Sequence, residues 1–139
     1  MTPRPTDAEL KILRILWMRN SPSTVRQIHE DLARQQRGRS GGGAVGYTTV
    51  LKLLQIMTQK GLVVRDESQR THSYRAGSSE DQTQQKLVRD LIARAFGGSA
   101  QKLVLHALDA ARSSPAELAE IRKVIDQMNA NNNSKESRP

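Results

Sequence analysis

The chain has 139 residues, enough for one compact domain with an appended element, and carries a net charge of +8. It contains no cysteine, which excludes disulfides, thiol catalysis and cysteine-based metal or redox centres. No apolar run is long enough to cross a bilayer and the first residues lack a signal-peptide pattern, so a cytoplasmic protein without direct membrane insertion is expected.

The first helix is predicted at "TDAELKILRILW". Thr6 and Glu9 stand at capping-box spacing, and Leu10, Leu13, Leu16 and Trp17 form its inward stripe. The turn signal "NSPS" stops it by Asn20. The second helix, "STVRQIHEDLARQ", takes Ser23 or Thr24 as its cap and turns Val25, Ile28 and Leu32 inward. A Gly-rich basic connector follows, "QQRGRSGGGAVG". It has no Gly-Lys-Ser/Thr after its glycines and no apolar strand before them, so it is not a phosphate-binding loop. A flexible loop is expected, with Arg37 and Arg39 as candidate DNA-backbone contacts.

The third helix is predicted within "GYTTVLKLLQIMTQKGL", residues 46–62, with Gly61 as its C-cap. At about 100° per residue, Val50, Leu53, Leu54 and Met57 fall on one face, and Thr48, Lys52, Gln55 and Gln59 crowd into an opposite arc of roughly 60°. That polar arc holds no Asp or Glu, whereas a solvated helix face usually mixes both signs. "LVVRDESQRTHSYRA" then reads as a hairpin, with one strand at Leu62 to Asp66, a polar tip, and a return near His72 to Arg75. Three helices followed by a basic hairpin make a winged helix-turn-helix, whose third helix enters the major groove with its N-terminal residues nearest the bases.

In that arrangement Lys52 can reach guanine and Gln55 can pair with adenine, while Thr48 and Thr49 can take a phosphate or a thymine methyl. Tyr47 opens the same helix and joins these candidates. Leu51 borders the face: it either packs on thymine methyls or meets the wing or a partner helix. On the hairpin, Arg65, Arg70 and Arg75 are candidate phosphate contacts, with Arg70 at the tip, and His72 is a wing residue within reach of phosphate.

The charge is concentrated in this half. Residues 1–77 hold 13 Lys and Arg against 6 Asp and Glu, a net +7, while residues 78–139 hold 9 against 8, a net +1. A polyanion partner is therefore expected for residues 1–77, as a DNA-binding domain. An anionic membrane is the weaker rival, since no basic face lies opposite an aromatic-rich one.

Residues 78–128 are expected to be helical. "SSEDQTQQKLVRDLIARAF" is capped by Ser78 or Ser79, has Leu87, Leu91, Ile92 and Phe96 as its apolar side, and closes at Gly97-Gly98. "SAQKLVLHALDAAR" starts at Ser99 and includes Leu103. "SPAELAEIRKVIDQM" has Ser114 as N-cap, Pro115 at N1 and Glu117 at N3. Its apolar positions are Leu118, Ile121, Val124, Ile125 and Met128. Such short amphipathic helices have no core of their own and are expected to bury these faces against a second copy, making a homodimer. The polar, low-complexity stretch 129–139 is expected to be disordered.

No catalytic constellation is present. His29, His72 and His106 fall on three different elements, none in metal-ligand spacing, and His29-Glu30-Asp31 reads as solvated helix surface. No enzyme, metal or cofactor is expected. A winged-helix adaptor binding protein or RNA rather than operator DNA is the alternative function.

The segments "TDAELKILRILW", "STVRQIHEDL", "YTTVLKLLQIMTQKGLVVRD" and "FGGSAQKLVLHAL", in that order, resemble the BlaI/MecI-type penicillinase repressors and the related copper-responsive repressors. The likeness spans nearly all of Thr6 to Met128. It implies a homodimer that binds a palindromic double-stranded DNA operator and represses transcription, joined through its C-terminal helices. In the penicillinase branch it also implies a membrane-bound sensor protease as partner, cutting an Asn-Phe pair in the C-terminal region. The pair aligned there in this chain is His106-Ala107. The copper branch carries a C-terminal cysteine cluster, absent from this sequence, and "RGRSGGGA" makes the connector into the third helix longer than usual.

Overall fold

In a computed structural model, which describes residues 4–36 and 45–136, the chain is mostly helical with one small antiparallel sheet. Helix α1 spans Asp7–Arg19. Thr6 Oγ1 accepts from Glu9 N at 3.2 Å and Glu9 Oε1 accepts from Thr6 N at 2.8 Å, completing the expected capping box. The helix ends on Asn20 in the left-handed region, φ 49°.

Its inward face differs from the predicted stripe. Ile12, Leu13, Ile15 and Leu16 are buried together with Glu9, while Leu10 and Trp17 sit half-buried at the margin. The reason is that α1 packs against α2 (Val25–Gln36), α3 (Tyr47–Lys60) and the sheet at once, so its covered arc is wide. Trp17 stays at the edge because its indole N–H needs a polar partner, which it finds in the Ser78 carbonyl at 3.0 Å.

A two-residue strand that the sequence did not announce, β1 (Ser23–Thr24), precedes α2. Thr24 then caps α2 reciprocally with Gln27: its hydroxyl accepts from Gln27 N at 3.2 Å and its N–H donates to Gln27 Oε1 at 2.9 Å. Val25, Ile28 and Leu32 are buried as expected. Arg19 at the end of α1 grips Asp31 of α2 with two bonds, at 2.6 and 3.1 Å. The connector, with Arg37 and Arg39, lies outside the described residues except at its ends.

Helix α3 buries Val50, Leu54 and Met57, with Leu53 half-buried. Gly61 ends it at φ 80°, a conformation that disfavours any Cβ. Strands β2 (Val63–Asp66) and β3 (Ser73–Ala76) form the hairpin, and the sheet order is β1-β3-β2. Ser23 pairs with Tyr74 and Thr24 with Ser73, so the return strand of the wing is stitched to the start of α2. Tyr74, Leu62 and Val63 complete the core. Each such aliphatic side chain contributes about 1.5–3 kcal/mol on burial.

The chain divides into two compact units, Met1–Arg89 and Asp90–Pro139, and the division falls inside α4 (Glu80–Ala95) rather than after residue 77. The first turns of α4 are tied to the first unit. Ser79 and Gln82 form a reciprocal cap, Trp17 holds Ser78, and Leu87 lines a cavity of about 50 Å³ with Leu13 and Leu62.

In the second unit, α4 closes at Gly97 and Gly98, both at positive φ. Helix α5 (Ala100–Ala110) starts on Ser99, whose hydroxyl accepts from Lys102 N. Helix α6 (Pro115–Glu136) starts on Ser114, whose hydroxyl accepts from Glu117 N at 3.1 Å. It continues through residues 129–136, which the sequence assigned to a disordered tail, because extending a nucleated helix adds one bond per residue fixed. Residues 137–139 lie outside the described residues. No helix among the described residues is long and apolar enough to cross a membrane.

Candidate nucleic-acid interface

The strand pairing of β1 with β3 brings the first turn of α2, the start of α3 and the wing around one cleft of about 550 Å³. Its lining is Thr24, Val25 and Arg26 from the α2 side, Tyr47 and Leu51 from α3, and Arg70, Thr71, His72 and Tyr74 from the hairpin. Val25 and Tyr74 are buried and Leu51 half-buried, so they make its floor, while Arg26, Arg70, Thr71 and His72 stand exposed on its rim. Among the described residues no carboxylate lines it. Cations, hydroxyls and an imidazole over an apolar floor suit the anionic, partly apolar edge of a nucleic-acid groove.

Four predicted DNA-contact residues, Tyr47, Leu51, Arg70 and His72, meet in this cleft. Leu51 also packs against the core, which accounts for an apolar residue at the border of the polar face. Thr48, Thr49, Lys52 and Gln55 are exposed on the outward side of α3 beside it. Helix α3 begins at Gly46 with no side-chain cap and has no acidic residue in its first turn. The positive end of its dipole is therefore not offset by an acidic residue in its own first turn.

The hairpin arginines separate into three environments. Arg70 lines the cleft, whereas Arg65 forms an ion pair with Glu67. Arg75 lines a different depression, with Trp17, Ser78 and Glu80. At the start of the hairpin tip, the Ser68 N–H and hydroxyl hold the Asp66 carboxyl below its ordinary value, helped by the charge of Arg75. The Ser68 N–H to Asp66 Oδ1 bond, at 2.9 Å, fixes the turn that leads to Arg70.

Several residues of this surface escaped the sequence reading. Arg26 and Thr24 reach the cleft because β1 pairs with β3, and Thr71 joins them from the hairpin. Ile56, 46% exposed and one turn beyond Lys52, places an apolar side chain on the flank of the polar face. His29 is corrected: it is not solvated helix surface but half-buried, bonded through Nε2 to the Val45 carbonyl at 3.0 Å.

The predicted dimerisation residues lie elsewhere. Ile92, Phe96, Leu103 and Ile121 are half-buried, whereas Leu91, Leu118, Val124 and Ile125 are exposed. Leu87 is half-buried within the first unit, beside Leu13 and Leu62.

Residues 5–127 match the family described as penicillinase repressor. Two proteins described as "Transcriptional regulator BlaI", from Mycobacterium tuberculosis strains CDC 1551 / Oshkosh and ATCC 25618 / H37Rv, are each 30% identical over 125 residues, covering 89% of this chain and 84% of theirs. With an acid-free cleft between a helix-turn-helix and its wing, and a match along most of its length, the chain belongs to the penicillinase repressor family.

Proposed function

We propose that this DNA-binding transcriptional repressor acts as a homodimer on an inverted-repeat operator, with α3 reading bases and the cleft rim holding phosphate. The observation that carries this reading is the carboxylate-free cleft beside an equally carboxylate-free α3 face. Lys52, Gln55, Thr48 and Thr49 supply base contacts. Arg26, Arg70 and His72 supply backbone contacts that fix orientation without reading sequence.

Dimerisation is supported by α6. Leu118, Ile121, Ile125 and Met128 follow a three-four-three spacing, the a/d pattern of a helix that packs along a partner helix. Leu118 is 46%, Ile125 47% and Met128 62% exposed in the single chain, an apolar stripe that a second copy would cover. Two winged helices held by such a seam match a two-fold symmetric site.

The signal that releases the DNA is not identified by this reading, and the pair aligned with the sensor-protease cleavage site is His106-Ala107 rather than Asn-Phe. His106-Ala107 lies inside α5, so cutting there requires local unwinding of that helix.

The test is selection of genomic DNA fragments by purified protein, followed by a reporter gene placed behind the selected site. Repression that depends on an inverted repeat is expected. Selection of no preferred duplex, with capture of RNA or a protein instead, would replace this reading by an adaptor role.

A further inference from the structure

We propose that His29 and Gln36 are positioning residues for DNA recognition, gripping the backbone of Val45 so that α3 presents its polar face at a fixed angle. The proposal rests on α3 being the DNA-facing helix.

The need for such a grip follows from the sequence. Gly46, the residue before the helix, offers no side chain to cap it. The first turn of α3 therefore has no side-chain cap of its own.

The missing constraint comes from α2. Gln36 Oε1 accepts from Val45 N at 3.3 Å, and Val45 O accepts from His29 Nε2 at 3.0 Å. A carbonyl oxygen only accepts, so His29 carries a proton on Nε2. Both polar groups of one peptide residue are thereby held by side chains two helical turns apart on α2. The same imidazole meets the Tyr47 ring edge-on, with centroids 6.0 Å apart at 77°, which seats the first residue of α3 as well. Val45 itself packs against the core, so the gripped residue cannot drift outward without losing that contact.

Base contacts demand close placement of several side chains at once, whereas long cationic side chains follow a phosphate over a wider range. Loosening Val45 should therefore erode sequence preference and leave the number of phosphate contacts unchanged. That pattern separates a positioning role from a direct contact.

The experiment titrates full-length protein against two labelled probes: the tightest duplex selected from genomic fragments, and a scrambled duplex of the same composition. His29→Ala and Gln36→Met should each reduce the preference for the selected duplex about five- to tenfold, the scale of one lost hydrogen bond. The salt dependence of binding should not change. His29→Gln keeps an N–H donor and Gln36→Glu keeps an acceptor at similar reach, and both should restore the preference. Lys52→Ala serves as control for the reading of α3. Wild-type preference in His29→Ala and Gln36→Met, with preference lost in Lys52→Ala, overturns the grip alone. Wild-type preference in Lys52→Ala overturns the reading of α3, and the proposal with it. Failure of the conservative variants to rescue, or a salt slope lowered by about one in His29→Ala, also overturns it, the latter by making His29 a phosphate contact. Should His29→Ala not fold, the Gln36 pair carries the same test.

Discussion

Glu9 near the start of α1 and Lys60 in the last turn of α3 form an ion pair of 2.7 Å, and the Glu9 side chain is only 2% exposed. The same carboxylate oxygen accepts from Thr6 N at 2.8 Å, so one buried atom closes a helix cap and anchors the far end of α3. Lys60→Met leaves that carboxylate buried with the capping N–H alone. A loss of about 1–3 kcal/mol in urea unfolding is expected. Glu9→Gln keeps an acceptor for Thr6 and should cost less. Equal stability of Lys60→Met and wild type would show that the pair contributes nothing.

The pair also sets a pH dependence. Burial pushes the Glu9 carboxyl up, but the Lys60 hydrogen bond, the Thr6 N–H and the Lys60 charge outweigh it and hold the carboxyl below its ordinary value. A depressed carboxyl favours the folded state above the unfolded value of about 4.3 and stops doing so as pH falls through the lower folded value. The stability gap between wild type and Glu9→Gln should be full near neutral pH and shrink in acid. Unfolding midpoints across that range measure it, and a gap that widens in acid would contradict the assignment.

At the end of the wing, Gly77 permits a close approach. A Cβ there would lie 2.6 Å from the Gly61 carbonyl oxygen, and its N–H donates to Leu62 O at 2.8 Å. Gly77→Ala must displace backbone, at a cost of about 1–3 kcal/mol. Gly61→Ala meets open space but adopts a left-handed conformation, costing about 1 kcal/mol. Thermal melts should therefore rank wild type above Gly61→Ala, and Gly61→Ala above Gly77→Ala. The reverse order of the two variants would contradict the packing at this junction.

Arg26→Ala and Arg70→Ala should weaken binding to all duplexes alike and lower the salt slope by about one each. Arg65→Ala should do less, because Glu67 already engages that guanidinium. Binding isotherms over a series of salt concentrations decide the matter. A slope unchanged in Arg26→Ala would remove that residue from the proposed phosphate contacts.

Ile125→Asp puts a carboxylate in the middle of the α6 stripe. Sedimentation at micromolar concentration should show a dimer for wild type and a monomer for this variant. A wild-type monomer would sink the proposed assembly.

Much of the fold was legible because its signals are local. The Thr6/Glu9 box, Gly61 and the Ser114-Pro115-Glu117 start each act over a few residues, and each stands where the sequence put it. The polar face of α3 was legible by rotation alone. What escaped depends on distant partners. Strand β1 exists only through its pairing with β3, and with it go Arg26 and Thr24 in the cleft. The burial of Glu9 needs Lys60, 51 residues away, and the tie between α1 and the residues just before α4 needs Trp17 to reach Ser78. His29 looked like surface because its partner is a backbone carbonyl, which no side-chain pattern reveals.

The most direct measurement is a footprint on the selected duplex by wild type and Lys52→Ala at two salt concentrations. Wild type should protect an inverted repeat, weakly at high salt, while Lys52→Ala should lose discrimination between that site and its surroundings. Protection without sequence preference, or identical footprints for the two proteins, would contradict the assignment of α3 as the helix that reads the operator.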